Sequence, residues 1–191
     1  MNTIHASIPH ALLVAIQQLD RLATDEAGHV ELVGKKLGAS ATVGAQALRY
    51  SELAAHDEQV PVDEVAGLLT LVGRRSDADL TLKLAGQLAA GAVDGKPEDK
   101  PIIGAIGRRR AKRQSKKLMD VLLDFDRDTP SARAERTELT PDIQQLYCAL
   151  RGSALGELLD RLCGFDGALK HDRCVANGSD CCSWVAIGGE S

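Results

Sequence analysis

The sequence predicts an α+β fold, with a helix-rich N-terminal half packed with a small antiparallel sheet that ends in a C-terminal β-hairpin. Two observations carry this. Aromatic residues make up 3% of the chain and hydrophobic residues 44%, so Leu, Val and Ala must build the core. These residues lose little on entering a helix. In the first half the apolar positions recur at i, i+3, i+4 and i+7, whereas the last twenty or so residues form two strand-like arms around Asn177-Gly178, the strongest short hairpin signal. A length of 191 residues fits one domain. We divide it into an N-terminal helical region, 1–95, and an α/β region, 101–191, forming one compact unit.

In chain order, Pro9 suits a first helical turn, and Leu12, Ile16, Leu19 and Ala23 continue one face. A second helix is expected from Asp25 to about Ala55, with Val30, Val33, Leu37, Ala41, Gly44 and Leu48 inward and a small-residue edge at Gly34 and Gly38. Pro61 opens a third, with Val65, Leu68, Leu69 and Val72 buried and Gly73 ending it. Ser76 and Asp79 resemble a capping box before Leu80, Leu84 and Leu88. The polar stretch DGKPEDKP, 94–101, reads as a loop between the halves. A basic helix should run from Ile102 to Leu123, and 124–139 should hold a loop and a strand. Thr140 caps and Pro141 starts a further helix, with Ile143, Leu146, Leu150, Leu155, Leu158 and Leu162 inward and Gly152 as a candidate interruption. GFDG, 164–167, turns the chain into hairpin arms at 168–176 and 180–187.

Charge and hydropathy exclude several classes. A net charge of −4 argues against wholesale nucleic-acid binding, and no apolar run approaches the roughly 20 residues of a membrane span. ALLVAI, 11–16, is short and follows no basic segment, so no signal peptide is expected. A cytoplasmic location follows as an expectation. There thiols stay reduced, and clustered cysteines more often bind metal than form disulfides.

The cluster in question is LKHDRCVANGSDCCSWVAI, 169–187, with His171, Cys174, Cys181 and Cys182 around the turn. Zinc takes four soft or borderline ligands in a tetrahedron, and Cys with His is the usual supply. His171 and Cys174 lie three apart, which on an ideal strand puts them on opposite faces. If both bind one ion, the arm must bulge or begin irregularly near His171. A two-residue turn pairs Cys174 with Cys181, and a three-residue turn pairs it with Cys182. Local sequence leans to the tighter turn, and buried thiols or a disulfide remain the alternative readings.

Cys148, then Gly152 and Gly156 in a helix, then His171-x-x-Cys174, Gly178 and Cys182-Ser-Trp184 together resemble the 4-vinyl reductase domain family. That family shares a broad fold group with vesicle-tethering transport-particle subunits. The resemblance covers about residues 140–187. It implies a zinc site at Cys148, His171, Cys174 and Cys182, with His171 where many members have an acidic residue, and it leaves Cys181 facing away. Such sets bind zinc in the effector-sensing domains of aromatic-responsive regulators. Four protein ligands leave no open position, so the ion would be structural. The resemblance further implies a small-molecule-binding or sensory domain for an apolar, aromatic or tetrapyrrole-like ligand. It also implies a homodimer formed through the helical part. An alternative is an accessory protein or reductase-like enzyme of (bacterio)chlorophyll or tetrapyrrole metabolism, although no nucleophile or dinucleotide motif supports catalysis. Cys163, on the Leu155–Leu162 face, reads as core.

Two other signals carry less. GRRRAKRQSKK, 107–117, holds seven basic residues in eleven. Arg108, Arg109, Arg110, Lys112 and Arg113 would serve a nucleic-acid-linked regulator, a further alternative, yet the positives fall all around the helix and no aromatics interleave. Asp124, Asp126, Asp128 and Glu135 mimic a calcium loop, but Thr129 stands where the loop needs Gly and Ser131 where an apolar residue is usual.

Overall fold

A computed structural model describes residues 3–27, 31–92, 104–126 and 129–187, and of residues 22–27 and 31–40 the backbone alone. The chain begins with a short strand, β1 (Thr3–His5), followed by helices α1 (Ser7–Ala27) and α2 (Glu31–Ala55). Strand β2 (Gln59–Pro61) returns antiparallel to β1, with Ile4 opposite Val60. Helices α3 (Val62–Gly73), α4 (Ala78–Ala92) and α5 (Ala105–Met119) follow. A hairpin of β3 (Val121–Asp126) and β4 (Thr129–Ala134), the long helix α6 (Pro141–Cys163), and strands β5 (Ala168–Arg173) and β6 (Cys182–Ile187) complete the order. The second sheet is antiparallel throughout, in the order β3-β4-β6-β5. The α+β class therefore holds, helices dominating the first half and a hairpin closing the chain.

One apolar cluster runs from Ile4 to Trp184 and is built mainly from Leu, Val and Ala. Its centre is α6, which packs on α4 on one side and on α5 and β5 on others. The α4–α6 crossing is close because Gly86 has no side chain. A Cβ there would stand 2.6 Å from Ser153 Cβ and 2.7 Å from the Leu150 carbonyl oxygen. Ser153 Oγ donates to the Lys83 carbonyl at 2.7 Å across the same contact. Residues on one face of the large sheet, among them Leu123, Ala132, Ala134 and Trp184, are buried. Alternate residues such as Leu122, Arg133 and Val185 are exposed, as the strand period requires.

Several expectations change. Helix α3 buries Val65, Leu68, Leu69 and Val72 as predicted. In α4, however, Leu80 is 54% exposed, and Leu82, Ala85, Gly86 and Ala89 face inward instead. The close approach to α6 puts the small residues innermost, with Leu84 and Leu88 half-buried against the core beside them. In α2, Leu48 is 63% exposed and Ala47 and Tyr50 are buried. The edge at Gly34 and Gly38, like the loop at 94–101, lies outside what is described. Helix α5 ends at Met119, where Asp120 turns left-handed (φ 53°), and the chain enters β3 rather than extending the helix to Leu123. The 124–139 stretch supplies one whole strand and half of another. Gly152 does not interrupt α6. Among the described residues, no helix is long and apolar enough to cross a membrane.

A cysteine and histidine cluster as the candidate metal centre

Each sulfur and the imidazole reaches the centre from a different element. Thr140 precedes α6, Pro141 occupies its first turn, and Cys148 stands two turns further on. His171 lies on β5 opposite Trp184. The ladder then slips between His171 and Arg173, the bulge that a shared ion requires of this arm. After it, Cys174 opens a single 3₁₀ turn (Val175–Asn177). Its carbonyl accepts from the N–H groups of Asn177 at 3.0 Å and Ser179 at 3.2 Å. Gly178 follows at φ 86°, a conformation that glycine adopts without steric cost. The connection is thus neither a two-residue nor a three-residue hairpin loop. It is longer, and Cys174 is left out of the ladder. Cys182 begins β6 opposite Ala134 and points into the core, whereas Cys181 is only half-buried.

The structure brings Cys148, His171, Cys174 and Cys182 together, with one ligand atom from each lying within 4.8 Å of all the others. The three cysteines are buried, and His171 is exposed at the edge. A tetrahedral ion with bonds of about 2.0–2.3 Å needs donors roughly 3.3–3.8 Å apart. The cluster reaches that spacing with small side-chain adjustments, so its residues fit a metal ion. The Cys148 and Cys182 sulfurs are 3.2 Å apart, and Cys148 donates to Cys182. That hydrogen bond, helped by the Val175 N–H at 3.5 Å and by His171 and Cys174, pulls the Cys182 thiol down to about 5. The same contact, with burial, pushes the Cys148 thiol far up. The pair therefore favours one proton and one thiolate.

Sequence reasoning missed two supporting groups. Gln144, one turn before Cys148, is buried and points its side-chain amide nitrogen at both sulfurs, 3.3 Å from Cys148 and 3.6 Å from Cys182. The i, i+4 spacing was available as a signal, but a lone glutamine in a helix draws no notice. Trp184 stacks on His171 with ring centroids 5.1 Å apart and fixes the imidazole plane.

Two members of the cluster, Cys148 and His171, also line an open cleft of about 830 Å³ between α4, α6 and β5. Cys148, Gly152, Gly156, Leu82, Phe165 and Trp184 are among its lining residues. Asp79, Lys83, Glu157 and Asp160 also line it, giving it a polar side. Trp184 is buried, and its indole N–H has no hydrogen-bond partner.

The remaining sequence candidates fall elsewhere. On α5, Gly107, Ala111, Gln114, Ser115 and Leu118 form a buried face, so the basic residues do not surround the helix as expected but occupy its other sides. Lys112 pairs with Asp124 at 2.7 Å, and both Arg108 and Lys112 lie over the Phe125 ring. Arg109 and Arg113 are exposed, and Arg110 is half-buried. The calcium-loop reading is overturned for its described members. Asp124 and Asp126 lie on β3 and Glu135 follows β4, so a hairpin stands where a loop is needed, while Asp128 lies outside the described residues. Cys163 is half-buried at the end of α6 and packs against the core.

No family model matches the chain, and no curated protein does. Among solved structures, the crystal structure of an H-NOX protein from S. oneidensis in the Fe(II)NO ligation state is similar over 92% of this chain and 97% of that one. The identity is 12% and the TM-score 0.49. The site is accordingly read from its own residues.

Proposed function

We propose that the chain is a small-molecule-binding or sensory module of the 4-vinyl reductase domain kind, closed at one end by a structural zinc ion. The observation that carries this is the convergence of Cys148, His171, Cys174 and Cys182, two of which, Cys148 and His171, also line the cleft. Three thiolates and an imidazole suit zinc above harder cations. When bound, the ion would supply cross-linking rather than catalysis, tying α6 to the β5–β6 hairpin. The Gln144 amide and the Val175 N–H would offset negative charge on the sulfurs, as outer partners of metal thiolates do. The ligand would be small and largely apolar or aromatic, lying against Gly152, Phe165 and Trp184. An acceptor on it would take the unpartnered indole N–H.

Zinc and thiols, counted together on protein purified from a reducing cytoplasm without chelator, test the metal. One zinc per chain is expected, with at most Cys163 and Cys181 reactive until the protein is denatured with chelator. Five reactive thiols and no metal would sink the zinc reading. Trp184, the chain's one tryptophan, reports the cleft separately. Energy transfer from it to 1-anilinonaphthalene-8-sulfonate should saturate with one dye per chain, and non-saturating transfer would refute a defined cleft site.

A further inference from the structure

A neighbouring stripe of α6 holds a second set of buried polar groups. Arg151 is 3% exposed. Its Nη2 donates to the Met119 carbonyl at 2.8 Å and lies 3.4 Å from Thr137 Oγ1. Its Nε and Nη1 are buried with no partner. Its guanidinium carbon lies 4.1 Å from the Tyr147 ring centroid. No carboxylate pairs with it among the described residues. A buried charge is costly unless a counter-charge or hydrogen bonds compensate it, and here Nε and Nη1, which carry three of the guanidinium's five N–H donors, face neither a protein acceptor nor bulk water.

Arg151 and Tyr147 line a polar pocket of about 290 Å³ between β1, the last turn of α5, the segment after β4 and α6. We propose that this pocket binds a small anion, a carboxylate or phosphoryl group, with Arg151 as the binding residue. Four cations, Lys116, Lys117, Arg136 and Arg151, line it against two carboxylates, Asp120 and Glu135. Lys116 pairs with Asp120, and Lys117 and His5 Nε2 both contact Asp57, at 2.9 Å each. Arg136 adds a positive charge and Glu135 opposes it; both are exposed on the segment after β4. A guanidinium suits planar, bidentate recognition of such groups, which an ammonium does not reproduce. This inference is independent of the zinc reading.

Titration calorimetry of the intact protein with inorganic phosphate, and separately with succinate, tests it at ionic strength matched with potassium chloride. One saturable site for either is expected, phosphate identifying a phosphoryl ligand and succinate a carboxylate. Arg151→Lys should weaken that site by about tenfold or more, because a point charge replaces the fork. Glu135→Gln, at an exposed position, should tighten it by about two- to fivefold as an opposing charge is removed. Should Arg151→Lys fail to fold by circular dichroism, Glu135→Gln decides alone. Absence of a saturable site for both anions, or a site that Glu135→Gln leaves unchanged, overturns the proposal.

Discussion

Helix α6 carries two buried polar stripes that differ in how far the chain itself satisfies them. Along Cys148 the sulfurs are met from several sides, by Gln144, by the Val175 N–H and by each other. Along Tyr147 and Arg151 a full positive charge is buried with two nitrogens unmatched. The first stripe converges on a point that one cation would complete. The second opens onto a pocket that one anion would complete. Burial of polar groups is costly in both places, so each stripe is informative through what it lacks: negative sulfurs need a positive partner, and the guanidinium needs a negative one.

The largest way to break this comparison is Cys182→Ala. It removes a sulfur from the core end of the hairpin, and the remaining three ligands should lose the ion. Structural zinc contributes folding free energy directly, so we expect a loss on the order of several kcal/mol in urea unfolding, with the zinc content falling toward zero. The adjacent Cys181→Ala is the control. Its side chain lies outside the cluster, and it should keep its zinc with stability changed by about 0.5 kcal/mol or less. Equal effects from the two would mean that the cluster binds no ion.

A smaller effect is expected from Gln144→Leu. The Gln144 carbonyl oxygen is buried without a partner, so an apolar replacement of similar size relieves one unmet acceptor while deleting the contacts to sulfur. Stability of the zinc-loaded protein should change little, by about 1 kcal/mol or less. Metal affinity should fall by roughly 10- to 100-fold, the usual consequence of losing an outer partner. Competition with a chromophoric chelator measures this, and unchanged affinity would reduce Gln144 to a packing residue.

The two stripes were unequally legible in the sequence. Cysteine and histidine are scarce and chemically marked, so their spacing announced a cluster, and a shared ion together with strand geometry called for a bulge or an irregular start near His171, which the structure shows as a bulge. Arg151 gave no such signal, because an arginine in a helix reads as a surface residue until the helix is placed. Its burial depends on the turn at Asp120, where α5 stops short of the expected length and exposes the Met119 carbonyl to the guanidinium. The α4 error has a related cause. Leucines at i+4 steps look like the inner face, but Gly86 permits so close an approach to α6 that the small residues go innermost, Leu84 and Leu88 stay half-buried and Leu80 goes out. Strands β1 and β2 are three residues each, too short for alternation to register. Helix α3 was readable because its apolar stripe and its inner face coincide.

The smallest expected effect sharpens the arginine side. Asp57 is exposed and sits in the left-handed region (φ 61°), which asparagine tolerates better than most residues, so Asp57→Asn should fold normally. Lys117, with help from His5, holds the Asp57 carboxyl below its ordinary range. A carboxylate depressed in the folded state stabilises above its unfolded value, and that contribution is lost as pH falls through the lower folded value. Because the group is exposed, any such change should be slight. The effect on the pocket is of the opposite sign. Asp57 lies outside the pocket's lining but pairs with Lys117, which is in it, so neutralising Asp57 leaves the Lys117 ammonium uncompensated, with Lys116 still matched by Asp120. At pH 7 the variant should bind the anion that wild type binds about twofold more tightly, and the gain should fade as salt is raised past a Debye length of about 8 Å. An affinity that falls instead would mean that Asp57 orders Lys117 for binding rather than cancelling its charge.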